Sequence, residues 1–245
     1  MKRFATILIL LAGLALRVRA ADVAAEFTDA NNLYAQGKFS DAAAAYEKIA
    51  ADGRVSPALL FNLGNAAFKS GQIGQAIAAY SQAERLSPRD PDVRANLQFA
   101  RNELSGGDSV GPDWCERALG RLTLNEWAVL AAVLFWAWLG LLAAREWKPA
   151  LRPALRQLTL LAGVGAVGLW LGTGVLWFDR HANPRAVVVG HDAAVRGGPL
   201  DDAQSVYTAH DGVELTVLDR RDDWLQVGDG HQRIGWVRRD AVQTL

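Results

Sequence analysis

The chain has 245 residues, with 26 basic and 26 acidic side chains, a single cysteine, 51% hydrophobic residues and a mean hydropathy near zero. The balanced charge leaves no basic footprint for nucleic acid, and Cys115 alone excludes an internal disulfide framework or a cysteine-rich zinc site. His181, His191, His210 and His231 stand at no metal-ligand spacing, so neither a metal nor another cofactor is expected.

Residues 1–20 read as a secretory signal. Lys2 and Arg3 form a basic start, Phe4 to Leu16 an apolar run too short to cross a bilayer, and Val18-Arg19-Ala20 a small-residue cleavage pattern. Cleavage after Ala20 is expected, while the charges of Arg17 and Arg19 leave an uncleaved N-terminal anchor as the alternative. Either way the chain from residue 21 onward is exported.

Residues 21–104 repeat with a period of 34. Asn31 pairs with Asn65, Tyr34 with Phe68, Gly37 with Gly71, Ala42 with Ala76, Tyr46 with Tyr80, and Asn62-Leu63 with Asn96-Leu97. This period and residue set form the tetratricopeptide signature. The second copy is the fuller, with Leu63-Gly64, Phe68, Gly71, Ala76, Tyr80, Ala83 and Pro88. Gly64 and Ala76 are small where two antiparallel helices cross, Gly71 makes the turn, and Pro88 stops the second helix. The first copy departs, carrying Asp29-Ala30 where Leu-Gly is expected, but still has an Ala-rich helix from Ser40 to Ala51. Pro91 to Leu104 supplies a single capping helix, polar on one face, which brings the total to about five helices.

Such a stack presents a groove lined by the first helix of each repeat. Its candidate ligand-contacting residues are Phe27, Asn31 and Tyr34, then Phe61, Asn65, Phe68 and Lys69. Resemblance to peptide-binding tetratricopeptide domains implies that Asn31 and Asn65 fix a ligand backbone or terminal carboxylate. Lys69 is the sole groove cation, too few for a full carboxylate clamp. The other reading is that the aromatics pack against the capping helix or the linker.

Residues 105–126 read as a Gly-rich tether followed by a short amphipathic helix carrying Trp114, Leu119 and Leu122. Two charge-free stretches follow, Trp127 to Ala144 and Leu158 to Phe178. As helices they cover roughly 27 and 31 Å, against a hydrocarbon core of about 30 Å, and both are expected to span a membrane. Trp127, Trp147 and Trp177 sit at or just beyond their ends, where indoles prefer the headgroup layer. The connection, residues 145–157, holds Arg145, Lys148, Arg152 and Arg156 against Glu146 alone and is therefore expected in the cytoplasm. Gly168 and Gly172 form a GxxxG, with Gly163, Gly165 and Gly174 nearby, suited either to packing against the first span or to dimerisation.

Residues 186–245 change to short apolar runs between turns, with Asp211-Gly212 and Gly228-Asp229-Gly230 as turn signals, and predict a five-stranded β-barrel. The run Ala186 to Val189, the Val195 to Pro199 turn, Asp211 to Leu218, Asp222 to Val227 and Gly235-Trp236-Val237 resemble bacterial SH3-type domains in order and spacing. Trp224 and Trp236 are core or rim aromatics. Arg238 and Ala241 stand where the proline-binding groove of eukaryotic relatives would want Pro and Tyr, so the resemblance implies the barrel and not its ligand.

The fold class expected is a multidomain membrane protein: an all-α tetratricopeptide helical repeat, a two-helix transmembrane hairpin and an all-β SH3-type barrel. The whole order resembles the BatE-type proteins of bacterial aerotolerance operons, most closely over Ser56 to Asn65, Asp92 to Leu97 and Leu122 to Trp127. That resemblance implies an inner-membrane complex with von Willebrand factor A-type proteins and a MoxR-type ATPase, while the export signal and the basic loop place both soluble modules on the periplasmic side. A non-enzymatic, membrane-anchored scaffold that binds partner proteins through the groove, and a second protein or cell-wall material through the barrel, is the leading expectation. The alternative is a peptidoglycan-associated hydrolase or hydrolase activator using the barrel for cell-wall targeting, but no GxSxG, Cys/His pairing or ligand cluster supplies its chemistry.

Overall fold

The computed structural model describes residues 24–105, 120–182, 184–230 and 233–245. The expected signal segment, Trp114, Cys115 and Leu119, and His231 lie outside the described residues.

Five helices form the repeat region, as expected: α1 (residues 24–35), α2 (Phe39–Ala51), α3 (Pro57–Lys69), α4 (Ile73–Leu86) and α5 (Pro91–Ser105). Gly37 and Gly71 adopt φ of +75° and +82° between the paired helices. Each allows the next amide to reach back five residues, Lys38 N–H to the Leu33 carbonyl and Gln72 N–H to the Ala67 carbonyl, which closes the preceding helix without a Cβ penalty. Ser56 opens α3 by accepting the Leu59 N–H at 3.1 Å, with Pro57 behind it at the first helical position. Alanines let the helices approach: Ala42, Ala66, Ala67, Ala76, Ala78 and Ala83 are fully buried. At Gly64 a Cβ would stand 2.5 Å from the Tyr80 ring. In the weaker first repeat Ala30 holds the matching place and is also fully buried.

Two long apolar helices follow, α6 (Leu124–Trp147) and α7 (Arg152–Ala182), joined by a 3-10 turn at Pro149–Leu151. They extend the expected segments by several residues at each end. Thr123 and Glu126 start α6 with a reciprocal capping box. Only 6% and 17% of their most apolar windows are covered by the rest of the chain, so they are long and apolar enough to cross a bilayer and are not the core of a globular domain. Where α6 and α7 meet, Gly163 lies under the Trp138 indole and Gly165 under Leu134, with Ala131 and Ala166 buried. Gly168 and Gly172 have nothing within 4 Å of a would-be Cβ. The contact between the helices thus uses Gly163 and Gly165 and leaves the GxxxG pair outside it.

The C-terminal sheet has seven strands, not five: β1 (Arg185–Val188), β2 (Ala193–Arg196), β3 (Ser205–Ala209), β4 (Glu214–Arg221), β5 (Trp224–Gly228), β6 (Ile234–Arg238) and β7 (Val242–Thr244), with a 3-10 turn at Arg239–Ala241. Their order is β3-β2-β6-β5-β4-β1-β7, every pairing antiparallel. The Val195 to Pro199 stretch gives only its first two residues to a strand, β2, and lies otherwise in the bend that follows. The two strands that sequence reading overlooks altogether are β3, a largely exposed edge strand with one buried residue, and β7, only three residues long. Neither carries an apolar run. Ala186, Val188, Val195, Leu215, Val217, Leu225, Val227 and Val237 fill the interior.

The barrel does not hang free of the repeat. Asp211, expected from sequence only as a turn residue, and Glu214 both bind the helices. Asp211 Oδ2 accepts the Gly74 N–H at 3.0 Å, while its Oδ1 accepts from Gly190 N–H at 2.8 Å. α4 has no side-chain cap of its own, since Gln72 makes no capping bond, so the barrel supplies the carboxylate that a helix N-terminus favours. Glu214 pairs with Arg101 of α5 at 2.6 Å. Val187 points away from the barrel core and is fully buried with Ala76, Ile77 and Leu97. Asp192 braces the turn, accepting the Asp211 N–H at 3.2 Å and lying 2.8 Å from His210 Nδ1. The His210 contact, then the Asp211 amide, hold the Asp192 carboxyl below the usual aspartate range.

A Cβ at Gly74 would run into the Val188 carbonyl and the Asp211 carboxylate. Gly74→Val is therefore expected to cost about 1–3 kcal/mol and to part the barrel from the repeat, read as lost amide-exchange protection in both β1 and the first turn of α4. Asp211→Ala should cost about 1 kcal/mol and lower the thermal midpoint, with lost protection confined to that turn. Unchanged exchange at β1 in the Gly74 variant would contradict the seam.

Candidate functional site: the repeat groove and the barrel face

The 34-residue pairs of the sequence meet in space as one recurring hydrogen-bonded unit. Asn31 Oδ1 accepts from the Tyr46 hydroxyl at 2.6 Å and from Asn62 Nδ2 at 3.2 Å. One repeat later, Asn65 Oδ1 accepts from the Tyr80 hydroxyl at 2.7 Å and from Asn96 Nδ2 at 2.9 Å. Each unit ties three helices together, the two of its own repeat and the first of the next. Phe27 packs on Tyr46 and Phe61 on Tyr80, with ring centroids 5.8 and 6.1 Å apart. Burial, the larger effect, raises the Tyr46 and Tyr80 phenols above the usual tyrosine range, against the smaller pull of the Asn62 and Asn96 hydrogen bonds.

The seven groove residues expected from sequence consequently divide. Tyr34, Asn65, Phe68 and Lys69 line a recess of about 190 Å³, joined there by Tyr80, Asn96 and Phe99. Phe27 and Phe61 instead sit half-buried between helices, and Asn31 serves the first hydrogen-bonded unit outside that recess. Among the expected aromatics, Phe68 does pack against the capping helix, its ring 5.4 Å from that of Phe99. Tyr34 packs edge-on against Phe39 at 5.1 Å. Sequence reading missed Phe99 because α5 reads as a cap, yet its ring is 59% exposed at the rim. The period offered the signal: Phe99 stands 34 residues beyond Asn65 and its neighbours Phe68 and Lys69 give the same helix face.

The recess can act as a donor site beside an aromatic ledge. The Asn65 carbonyl oxygen is committed to Tyr80 and Asn96, which orients its amide group so that the NH2 is the remaining hydrogen-bonding end. Lys69 is exposed, and none of the lining residues is acidic. Such a surface can hold a peptide carbonyl or carboxylate at the amide and ammonium and an apolar side chain on Phe68 and Phe99.

On the barrel, the aromatic positions are covered by arginines. The Arg238 guanidinium lies 5.6 Å from the Trp224 ring centroid and binds both carboxylate oxygens of Asp201, at 2.8 and 3.0 Å. Arg221 lies 5.3 Å from the Trp236 centroid, and Arg233 4.3 Å from that of Tyr207. Trp224 and Trp236 are left 8% and 7% exposed, so of the two expected places, core or rim, both take the core. The position where a proline-binding groove would open is filled by a side chain of the barrel itself. Among the described residues no cluster of His, Cys, Asp and Glu has metal-binding geometry.

The tyrosine ladder makes stability dependent on alkaline pH. A folded-state phenol titrating above its unfolded value of about 10 stabilises fully below that pH, and the contribution is lost as pH rises through the folded value. Thermal midpoints should thus fall above pH 10, and the Tyr46→Phe/Tyr80→Phe variant should show a shallower fall, at a cost of about 1 kcal/mol per lost hydroxyl at pH 7. An equally steep alkaline fall in that variant would assign the titration elsewhere.

Comparison with known families agrees with both modules. A tetratricopeptide repeat family model matches residues 27–91, and a bacterial SH3 domain family model matches residues 191–243. No curated protein shows a significant match to the chain. The helical region is of tetratricopeptide type and the barrel of bacterial SH3 type, both of them domain types that bind other proteins.

Proposed function

We propose that the protein is a non-enzymatic, membrane-anchored adaptor that holds a partner protein in the tetratricopeptide groove. The observation that carries this reading is the recess at Asn65, Phe68, Lys69 and Phe99, in which an exposed ring and an exposed ammonium stand beside an amide fixed in orientation by Tyr80 and Asn96. In this reading α6 and α7 cross the bacterial inner membrane. Arg145, Lys148, Arg152 and Arg156 keep their connection in the cytoplasm, and repeat and barrel share the periplasmic side. The order of modules and the Leu122 to Trp127 stretch support assignment to an aerotolerance or envelope-stress complex containing von Willebrand factor A-type proteins and served by a MoxR-type ATPase. The barrel contributes chiefly by bracing the repeat, because Arg238 and Asp201 close its aromatic face.

Affinity capture from solubilised membranes tests the groove. Lys69→Glu combined with Phe99→Asp alters exposed side chains and leaves the Asn–Tyr units intact, so the protein should fold with an unchanged thermal midpoint and lose at least tenfold of its captured partner. Von Willebrand factor A-type proteins are the expected capture. An identical partner profile for wild type and variant would remove the groove from the function. Protease treatment of spheroplasts should digest both soluble modules, and a protected barrel would overturn the topology.

A further inference from the structure

The repeat is fastened to the helical hairpin at two places. Arg89, in the turn between α4 and α5, donates from Nη2 to Glu126 Oε1 at 2.5 Å, in the first turn of α6. The second fastening runs through the barrel. α7 ends at Ala182 and β1 begins at Arg185, so that connection spans at most about 11 Å. The barrel is in turn locked to α4 and α5 by Val187 of β1, by Asp211 at Gly74 and by Glu214 of β4 at Arg101.

Together these fastenings bring the Arg89 end of the repeat to the hairpin. Helices joined by short turns run antiparallel, so the Arg89 turn and the 52–56 turn share the end facing the hairpin, and the Gly37 and Gly71 turns share the far end. Counted at about 1.5 Å per residue from Pro57 on α3 and Pro91 on α5, Asn65, Lys69, Asn96 and Phe99 lie roughly 8 to 18 Å from the hairpin-facing end. An extended chain leaving a membrane covers that height in about six residues. The recess also selects by charge: Lys69 has no ion pair among the described residues, and none of its lining neighbours carries a carboxylate.

We infer that the recess receives a membrane-proximal segment of another integral membrane protein, an extended stretch bearing an acidic side chain for Lys69 and an apolar one for Phe68 and Phe99, within about ten residues of that partner's own span. The inference rests on the adaptor reading and on α6 and α7 crossing the membrane. A soluble partner could use the same groove chemistry, but this geometry holds the groove where a neighbouring span delivers its flanking residues with little chain to order.

Two experiments on the full chain test it. With Cys115→Ser and a donor dye at Gln36→Cys, reconstituted in phosphatidylethanolamine and phosphatidylglycerol vesicles carrying headgroup acceptors, energy transfer should place the far end of the repeat about 20–30 Å above the lipid surface. A height beyond about 50 Å would overturn the geometry. In cells, a photoreactive residue at position 99 should yield crosslinked peptides that contain Asp or Glu and map within about ten residues of a span of another membrane protein, with yield reduced at least fivefold by Lys69→Glu. Crosslinks confined to soluble proteins or to remote domains would overturn the inference while leaving groove binding in place. No crosslink at all would overturn both.

Discussion

The seam between α4 and β1 governs the rest of the architecture. α4 begins without an accepting side chain of its own, and its second residue, Gly74, is left bare enough for a foreign carboxylate to reach the amide. Asp211 fills that place from a turn of the barrel that Asp192 and the Gly190 amide hold rigid. Below it, Val187 is buried against Ile77 and Leu97, a contribution of about 2 kcal/mol for one side chain. Because β1 is covered by the barrel core on one side and by helices on the other, moving the repeat exposes the buried Val187 face of that strand. A tetratricopeptide stack ending in a single helix would leave that flank of α4 and α5 open. The barrel covers it.

Within the stack, one polar unit repeated at 34-residue spacing fixes how successive helices meet. Buried hydroxyls and amides cost free energy unless they are bonded, and here each tyrosine hydroxyl finds the asparagine of its own repeat while the next repeat supplies the second donor. The same bonds settle which face of each asparagine remains for a ligand. A groove whose asparagines turned freely would lose side-chain entropy on every binding event; this one has already ordered them in folding.

Much of this was legible in the chain. The pairs Asn31/Asn65, Tyr46/Tyr80 and Asn62/Asn96 stand out by period alone, and the two apolar helices follow from length and the absence of charge. What the period does not contain is direction. Nothing local says that Asn62 points back at Asn31 instead of outward, so residues read as ligand contacts include members of the internal ladder. Val187 sat in plain view as the middle of an unbroken Ala186 to Val189 run, and a strand buried on both faces loses the alternation that a half-exposed strand keeps. The departure from alternation was the one local sign of docking. Its partner cannot be read from sequence, because Gly74 and Asp211 are 137 residues apart. β3 and β7 escaped for the opposite reason, being an exposed edge and a three-residue strand whose pairing is decided by their neighbours.

The repeat and the barrel therefore present unequal surfaces to a ligand. Arg238 lies on Trp224 and is held by Asp201, so a ligand seeking that aromatic face must displace a cation–π contact and an ion pair before gaining any contact of its own. The repeat groove asks for no such displacement: Phe99 and Lys69 already face solvent, and the Asn65 amide is already oriented. Binding free energy is what remains after the cost of rearranging the free surface. On that ground the adaptor reading proposed above assigns reception to the groove, with the barrel holding α4 and α5 in the positions that give the recess its shape.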